Sequence, residues 1–192
     1  MLLILTIEPL LPAINALPKS LLIPTETCIL RWFGYKKRII IMNKAILIDR
    51  VAKVFVEQMP FNQFLQIKVK FLDAEQAQIS FPWQDVFIGN PAQKILHGGV
   101  ISAVLDNVGG MLAAAAMIDK LSELDMPSVQ KKLATLGTID LRTDYLRPGK
   151  GSEFTASAKL IRSGNKVCVC RMELHNEQSV QIAFGTGTYL VG

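Results

Sequence analysis

The stretch Leu96-His97-Gly98-Gly99-Val100-Ile101-Ser102-Ala103-Val104-Leu105-Asp106-Asn107-Val108-Gly109-Gly110-Met111-Leu112-Ala113-Ala114-Ala115-Ala116-Met117-Ile118 decides the fold. It opens on a glycine pair, then runs apolar on every side with no proline, and as a helix it would be roughly 30 Å long. A helix that is apolar all round must be buried all round. In a chain of 192 residues whose other segments read mostly as strands, the most direct way to bury it is a sheet curled around it. Asp106 is the only charged side chain between His97 and Asp119. A carboxylate facing an apolar interior is expensive unless it is hydrogen-bonded or kept for chemistry.

Working back from this stretch, Pro82 to Pro91 carries Trp83, Phe87, Gly89 and Asn90 with neither helical nor strand period, and reads as a loop delivering the chain to the glycine pair. Before it, Leu65, Ile67, Val69 and Phe71 alternate with polar residues, and Ala77, Ile79 and Phe81 do so again after Asp73-Ala74-Glu75-Gln76. Two antiparallel strands fit that spacing. Ile46, Leu47, Val51, Val54, Phe55 and Met59 recur at helical spacing as far as Pro60.

Working forward, Asp119 to Gly137 reads as a short helical excursion. Strands follow over residues 138–146, 153–161, 167–175 and 180–191, each connector carrying turn residues. Links this short favour antiparallel neighbours. The expected class is α+β: one helix, two strands, a long buried helix, then four strands. No internal repeat or second folded domain is legible.

Residues 1–42 form an N-terminal extension ahead of a domain at 43–192. The extension is rich in Leu and Ile but broken by Pro9, Pro12, Pro18 and Pro24, so it holds no uninterrupted apolar run of membrane-spanning length. It also lacks the basic start of a secretory signal. The expectation is that translation naturally begins at Met42 and that the extension is an artefact of an upstream start or disordered; a membrane-touching arm is the rival. It carries five Lys/Arg against two Asp/Glu, which leaves the remaining 150 residues 16 against 14. That near-neutral body, with no Lys/Arg stripe interleaved with aromatics, argues against a nucleic-acid footprint. Cys28, Cys168 and Cys170 lack metal-ligand spacing, and with two histidines in the chain no zinc site is expected. Cys168 and Cys170, two apart on a strand, share a face and suit a reduced, cytoplasmic setting.

The order of elements, His97-Gly98-Gly99 at the mouth of the long helix, Asp106 nine residues later, and Asp144-Tyr145-Leu146-Arg147-Pro148-Gly149 resemble the PaaI-type hotdog-fold acyl-CoA thioesterases. Gly137-Thr138-Ile139-Asp140-Leu141-Arg142, Gly164-Asn165-Lys166-Val167, Glu173-Leu174-His175-Asn176-Glu177 and Thr188-Tyr189-Leu190-Val191-Gly192 are similar to its YigI-type subgroup. The resemblance covers about residues 43–192. It implies a hotdog fold, an antiparallel sheet wrapped around the central helix, and hydrolysis of medium- to long-chain fatty acyl-CoA in the cytoplasm without metal or other cofactor. It also implies a homo-oligomer, a homodimer or a homotetramer.

Thioester hydrolysis needs a base or carboxylate nucleophile and donors aimed at the oxygen that becomes negative. Asp106 answers the first need and the backbone N–H groups of Gly98 and Gly99, at the positive end of the helix dipole, the second. The alternative for Asp106 is a structural carboxylate held by Asn107 or a backbone group. For His97 a positioning role is expected, with simple helix capping as the alternative. Ser102, Asp106, Gly109 and Ala113 line one helix face, which borders either an acyl tunnel or a second helix in a dimer. Asn90 and Ser102 are expected to meet substrate. Arg147, Lys150, Arg162 and Lys166, with Gly164 and Asn165 presenting N–H groups, are expected to meet the phosphates of coenzyme A, against the alternative of ordinary turn charges. Two other classes remain: an acyl-thioester hydratase or dehydratase, which would need a histidine base, and a non-catalytic acyl-CoA-binding protein. Nine residues of helix separate His97 from Asp106 by about 13.5 Å, too far for both to meet one carbonyl, so an active site shared between two chains is expected.

Overall fold

The computed structural model describes residues 43–122, 124 and 126–192; the expectations for residues 1–42, including Cys28, lie outside the described residues. Asn43 caps the first helix, α1 (Lys44–Glu57), its side chain accepting from Ile46 N at 2.9 Å. Leu47, Ile48, Val51 and Phe55 form the buried face of α1. Pro60 does not end that helix. It opens a second short one, α2 (Pro60–Phe64), at the first helical position, where a missing N–H costs nothing. Gln66 then turns the chain through a left-handed φ of 55°, so Leu65 and Ile67 are buried at a corner and the first strand, β1 (Lys68–Leu72), begins later than the alternation predicts. Asp73 closes the turn to β2 (Gln76–Pro82), accepting from Glu75 N at 2.8 Å and Gln76 N at 2.7 Å.

The segment predicted as plain loop is more ordered than its sequence suggests. A single 3₁₀ turn at Asp85–Phe87 leads into β3 (Ile88–Asn90), which pairs with β4 (Ile95–Leu96). The long helix follows as α3 (Gly98–Asp119), then the short excursion α4 (Met126–Leu133) and four strands: β5 (Gly137–Tyr145), β6 (Glu153–Ser163), β7 (Val167–Asn176) and β8 (Gln181–Leu190).

Six strands make one antiparallel sheet in the order β1-β2-β6-β7-β8-β5. The short link from Leu146 to Ser152 is not a hairpin, contrary to the expectation for connectors of that length. It crosses the end of the sheet. Leu146 N and Arg147 N donate to Ile182 O at 2.8 and 3.1 Å, and Asn176 Nδ2 donates to Lys150 O at 2.9 Å. Seven extended residues reach about 23 Å, enough to pass the two intervening strands spaced at about 4.8 Å.

Against one face of this sheet lies α3, packed on β2 and β5–β8 with α1 along its flank. Val104, Leu105, Val108, Met111, Leu112 and Ile118 are fully buried. By length and composition alone α3 is apolar enough to cross a bilayer, but it is the core of this domain. Cys168 and Cys170 are buried on the same face of β7 with their sulfurs 3.8 Å apart.

Candidate active site

His97 precedes α3 in extended conformation, fixed by its own N–H donating to Phe87 O at 2.7 Å. Its Nδ1 accepts from Gly99 N at 2.9 Å, so that nitrogen carries no proton and the side chain caps the helix. Val100 N and Ile101 N both donate to His97 O, at 3.0 and 3.2 Å. Of the four amides that open α3, Gly98 N–H alone has no partner among the described residues. The helix mouth therefore presents one unclaimed donor at its positive end.

Tyr145, at the end of β5, lies over this mouth. Its hydroxyl donates to Gly98 O at 3.0 Å and lies 2.6 Å from Ser102 Oγ. Its ring approaches within 3.4 Å of where a Cβ on Gly98 would sit, so the glycine is what lets the tyrosine close over the backbone.

Asp106 is half-buried, two turns further along α3. Thr138 Oγ1, from β5, donates to its Oδ1 at 2.9 Å. A purely structural Asp106 would be held by Asn107 or a backbone group. Asn107 instead donates back to Ala103 O at 3.0 Å, within its own helix. Tyr189 holds the backbone at this point, its hydroxyl 3.3 Å from Asp106 O. Burial, and then the nearby Asp106 charge, push the Tyr189 phenol well above its ordinary range, so it stays protonated as a donor.

The small-residue face divides at this level. Ser102 and Asp106 are half-buried beside β5, whereas Gly109 and Ala113 are buried. A Cβ on Gly109 would strike the Tyr189 hydroxyl, and Gly187 accommodates the other side of the same ring. The Gly109 end of the stripe is filled by this chain's own tyrosine.

The remaining expected substrate contacts are dispersed. Asn90 Oδ1 accepts from Ala92 N and Gln93 N at 3.0 and 3.3 Å, closing the turn between β3 and β4. Arg147 lies near the mouth of α3, with Nη1 donating to Gln181 O at 3.0 Å; Lys150 is exposed in the same link. Arg162 stands within β6 instead of in a turn. Gly164 N–H is already used, donating to Val167 O at 2.8 Å, and the Ser163 and Gly164 carbonyls accept from Lys120 Nζ at the far end of α3. Asn165 and Lys166 are exposed beside them. The register places Arg162 opposite Val169 and Thr188, seven residues along β8 from the Gln181 carbonyl that holds Arg147. That is about 23 Å, so one chain does not gather both basic turns at one place. Among the described residues no group of three His, Cys, Asp or Glu side chains converges.

Thr138 and Tyr145 were missed as site residues by sequence reasoning. Strand alternation puts Tyr145 with Leu141 and Thr143 on the helix-facing side, a signal that was present. For Thr138 alternation misleads: it predicts the face of Asp140 and Arg142, and a register shift between Thr138 and Asp140 turns the threonine inward.

Residues 93–183 match the thioesterase superfamily. Over 142 residues the chain is 45% identical to the medium/long-chain acyl-CoA thioesterase YigI of Escherichia coli, covering 74% of this chain and 92% of that one. A crystal structure of a Shewanella oneidensis protein related to the thioesterase superfamily superposes with a TM-score of 0.74 at 48% identity, covering 78% of this chain and 97% of that one. The E. coli PaaI protein of the phenylacetic acid degradation operon shares the fold at 18% identity, with a TM-score of 0.64 over 78% of this chain and 96% of that one.

Proposed function

The chain belongs to the thioesterase superfamily, with the hotdog fold, and from that premise we propose that it hydrolyses medium- to long-chain acyl-CoA to free fatty acid and coenzyme A. The observation that carries this is the pairing on one apolar helix of a single half-buried carboxylate, Asp106, with a mouth that keeps one amide, Gly98 N–H, unclaimed.

Asp106 acts as general base on a water. With its proton on Asp106, the Thr138 oxygen offers lone pairs to that water, a second anchor beside the carboxylate. The water oxygen attacks the thioester carbon while its proton passes to Asp106. The carbonyl oxygen, now negative, is held by Gly98 N–H and the helix dipole. Collapse breaks the C–S bond, and the Asp106 proton goes to the departing thiolate. Direct attack by Asp106 is the second route, and incorporation of labelled oxygen into the carboxylate during single turnover separates the two.

Within one chain Asp106 and Gly98 are eight residues of helix apart, about 12 Å, so the site is completed by a second chain whose α3 lies antiparallel, giving a homodimer with two equivalent sites. Two observations support this. β5 is an edge strand, paired on one side only among the described strands, with Ile139 and Tyr145 on it and Leu146 just after it exposed. Arg162 in β6 and Lys166 in the turn after it lie about 23 Å along the sheet from Arg147, so these basic groups meet one coenzyme A only if the far ones come from the second chain. Phe61 and Phe64 support an apolar acyl group: both are exposed, 6.4 Å apart, and Phe64 meets Phe87, whose carbonyl fixes His97. The unbridged Cys168–Cys170 pair suits the reducing cytoplasm. An acyl-CoA series of increasing chain length, assayed with a thiol reagent, tests the function: coenzyme A release with an unmodified fatty acid supports it, and intact acyl-CoA throughout overturns it.

A further inference from the structure

We propose that Tyr145 is a positioning residue for the oxyanion donor, held in place by Ser102; the inference rests on the thioesterase activity proposed above. The direction of every proton in the cluster follows from the chemistry of its atoms. Gly98 O can only accept, so the single Tyr145 O–H points at it across 3.0 Å. Tyr145 has no second proton, so the 2.6 Å contact must be Ser102 O–H donating to the Tyr145 oxygen. The result is a one-way chain, Ser102 to Tyr145 to the Gly98 carbonyl, in which each bond polarises the next.

What this chain grips is the peptide unit joining Gly98 to Gly99. Its oxygen is bound by Tyr145 and its N–H by His97 Nδ1 at 2.9 Å. Clamping both ends matters because Gly98 and Gly99 have no Cβ to restrict the backbone where the unclaimed Gly98 N–H must be aimed. The donor N–H itself belongs to the 97–98 peptide, whose oxygen, His97 O, accepts from Val100 N and Ile101 N, so fixing the 98–99 peptide as well sets the Gly98 Cα between two anchored planes. Without the tyrosine hydroxyl, the 98–99 peptide loses the one hold that comes from the sheet, and the Gly98 Cα next to the donor N–H is anchored from the helix side alone. The serine occupies the next turn of the same face as Gly98, where it selects the hydroxyl's orientation instead of contacting substrate.

The test is a double-mutant cycle on the full chain with a long-chain acyl-CoA titrated through saturation, using Tyr145→Phe, Ser102→Ala and both together. Tyr145→Phe is expected to lower kcat about tenfold with KM nearly unchanged, because the donor it aims acts on the transition state. Ser102→Ala alone is expected to lower kcat about threefold, and to add nothing in the Tyr145→Phe background. The Gly99 amide proton, followed by NMR, is expected to exchange faster in Tyr145→Phe, a readout independent of turnover. A Tyr145→Phe protein with wild-type kcat, or effects that multiply in the double mutant, overturns the inference while leaving the thioesterase proposal standing. Absence of turnover in the wild type overturns both.

Discussion

Thr138 reaches across from the edge strand to the core helix, donating to the Asp106 carboxylate over 2.9 Å. The bond commits the threonine proton to the carboxylate and leaves the threonine oxygen with lone pairs but no proton to offer. Replacing Thr138 with Val keeps the shape and removes this second acceptor. Turnover is expected to fall about tenfold, with KM and melting temperature little changed. Steady-state kinetics beside a thermal melt check this; unchanged kcat would make the threonine a structural partner of Asp106.

Asp106→Asn retains the size and the hydrogen bond from Thr138 but cannot take a proton. Turnover is expected to fall on the order of a hundredfold or more with the fold intact. A variant that melts like the wild type and hydrolyses as fast would return Asp106 to a structural role.

The two neighbouring glycines of α3 are expected to respond oppositely to alanine. At Gly110 the nearest atom to a new Cβ is 3.7 Å away, so the better helix former stabilises by up to about 1 kcal/mol. At Gly109 the new carbon collides with Tyr189, a ring also confined by Gly187, and overpacking of about 1–3 kcal/mol outweighs the propensity gain. Denaturant unfolding of Gly109→Ala and Gly110→Ala measures both signs.

Arg147→Ala is expected to raise KM for acyl-CoA with little loss of kcat, since a phosphate contact remote from the thioester holds ground and transition states alike. The increase should vanish with a short acyl thioester that lacks the nucleotide. Its persistence with that substrate would assign Arg147, which also holds Gln181 O, to the fold instead.

Much of the architecture was legible because burial writes its period into the chain. The all-round apolar run of α3, the helical face of α1 and the alternation of β6 to β8 each admit one solution. The misjudged places are those where a single backbone event overrides the period: the left-handed Gln66 that delays β1, Pro60 starting a helix instead of ending one, and the link after β5 that crosses the sheet. The site divides in the same way. Asp106 and the glycine pair stand out chemically against apolar neighbours. Thr138 is concealed by a register shift, and that Ser102 binds Tyr145 depends on two elements whose spacing the sequence does not encode.

In the proposed dimer one thioester is hydrolysed between Asp106 of one chain and Gly98 of another. This shared site is tested most directly by mixing two inactive proteins, Asp106→Asn and Gly98→Val, the second placing a bulky side chain against Tyr145 at the donor. After dissociation and re-association, each heterodimer should contain one site with both defects and one with neither, and about half of the wild-type turnover per heterodimer should return. If heterodimers are shown to form and the mixture stays as inactive as its parents, the shared site is contradicted.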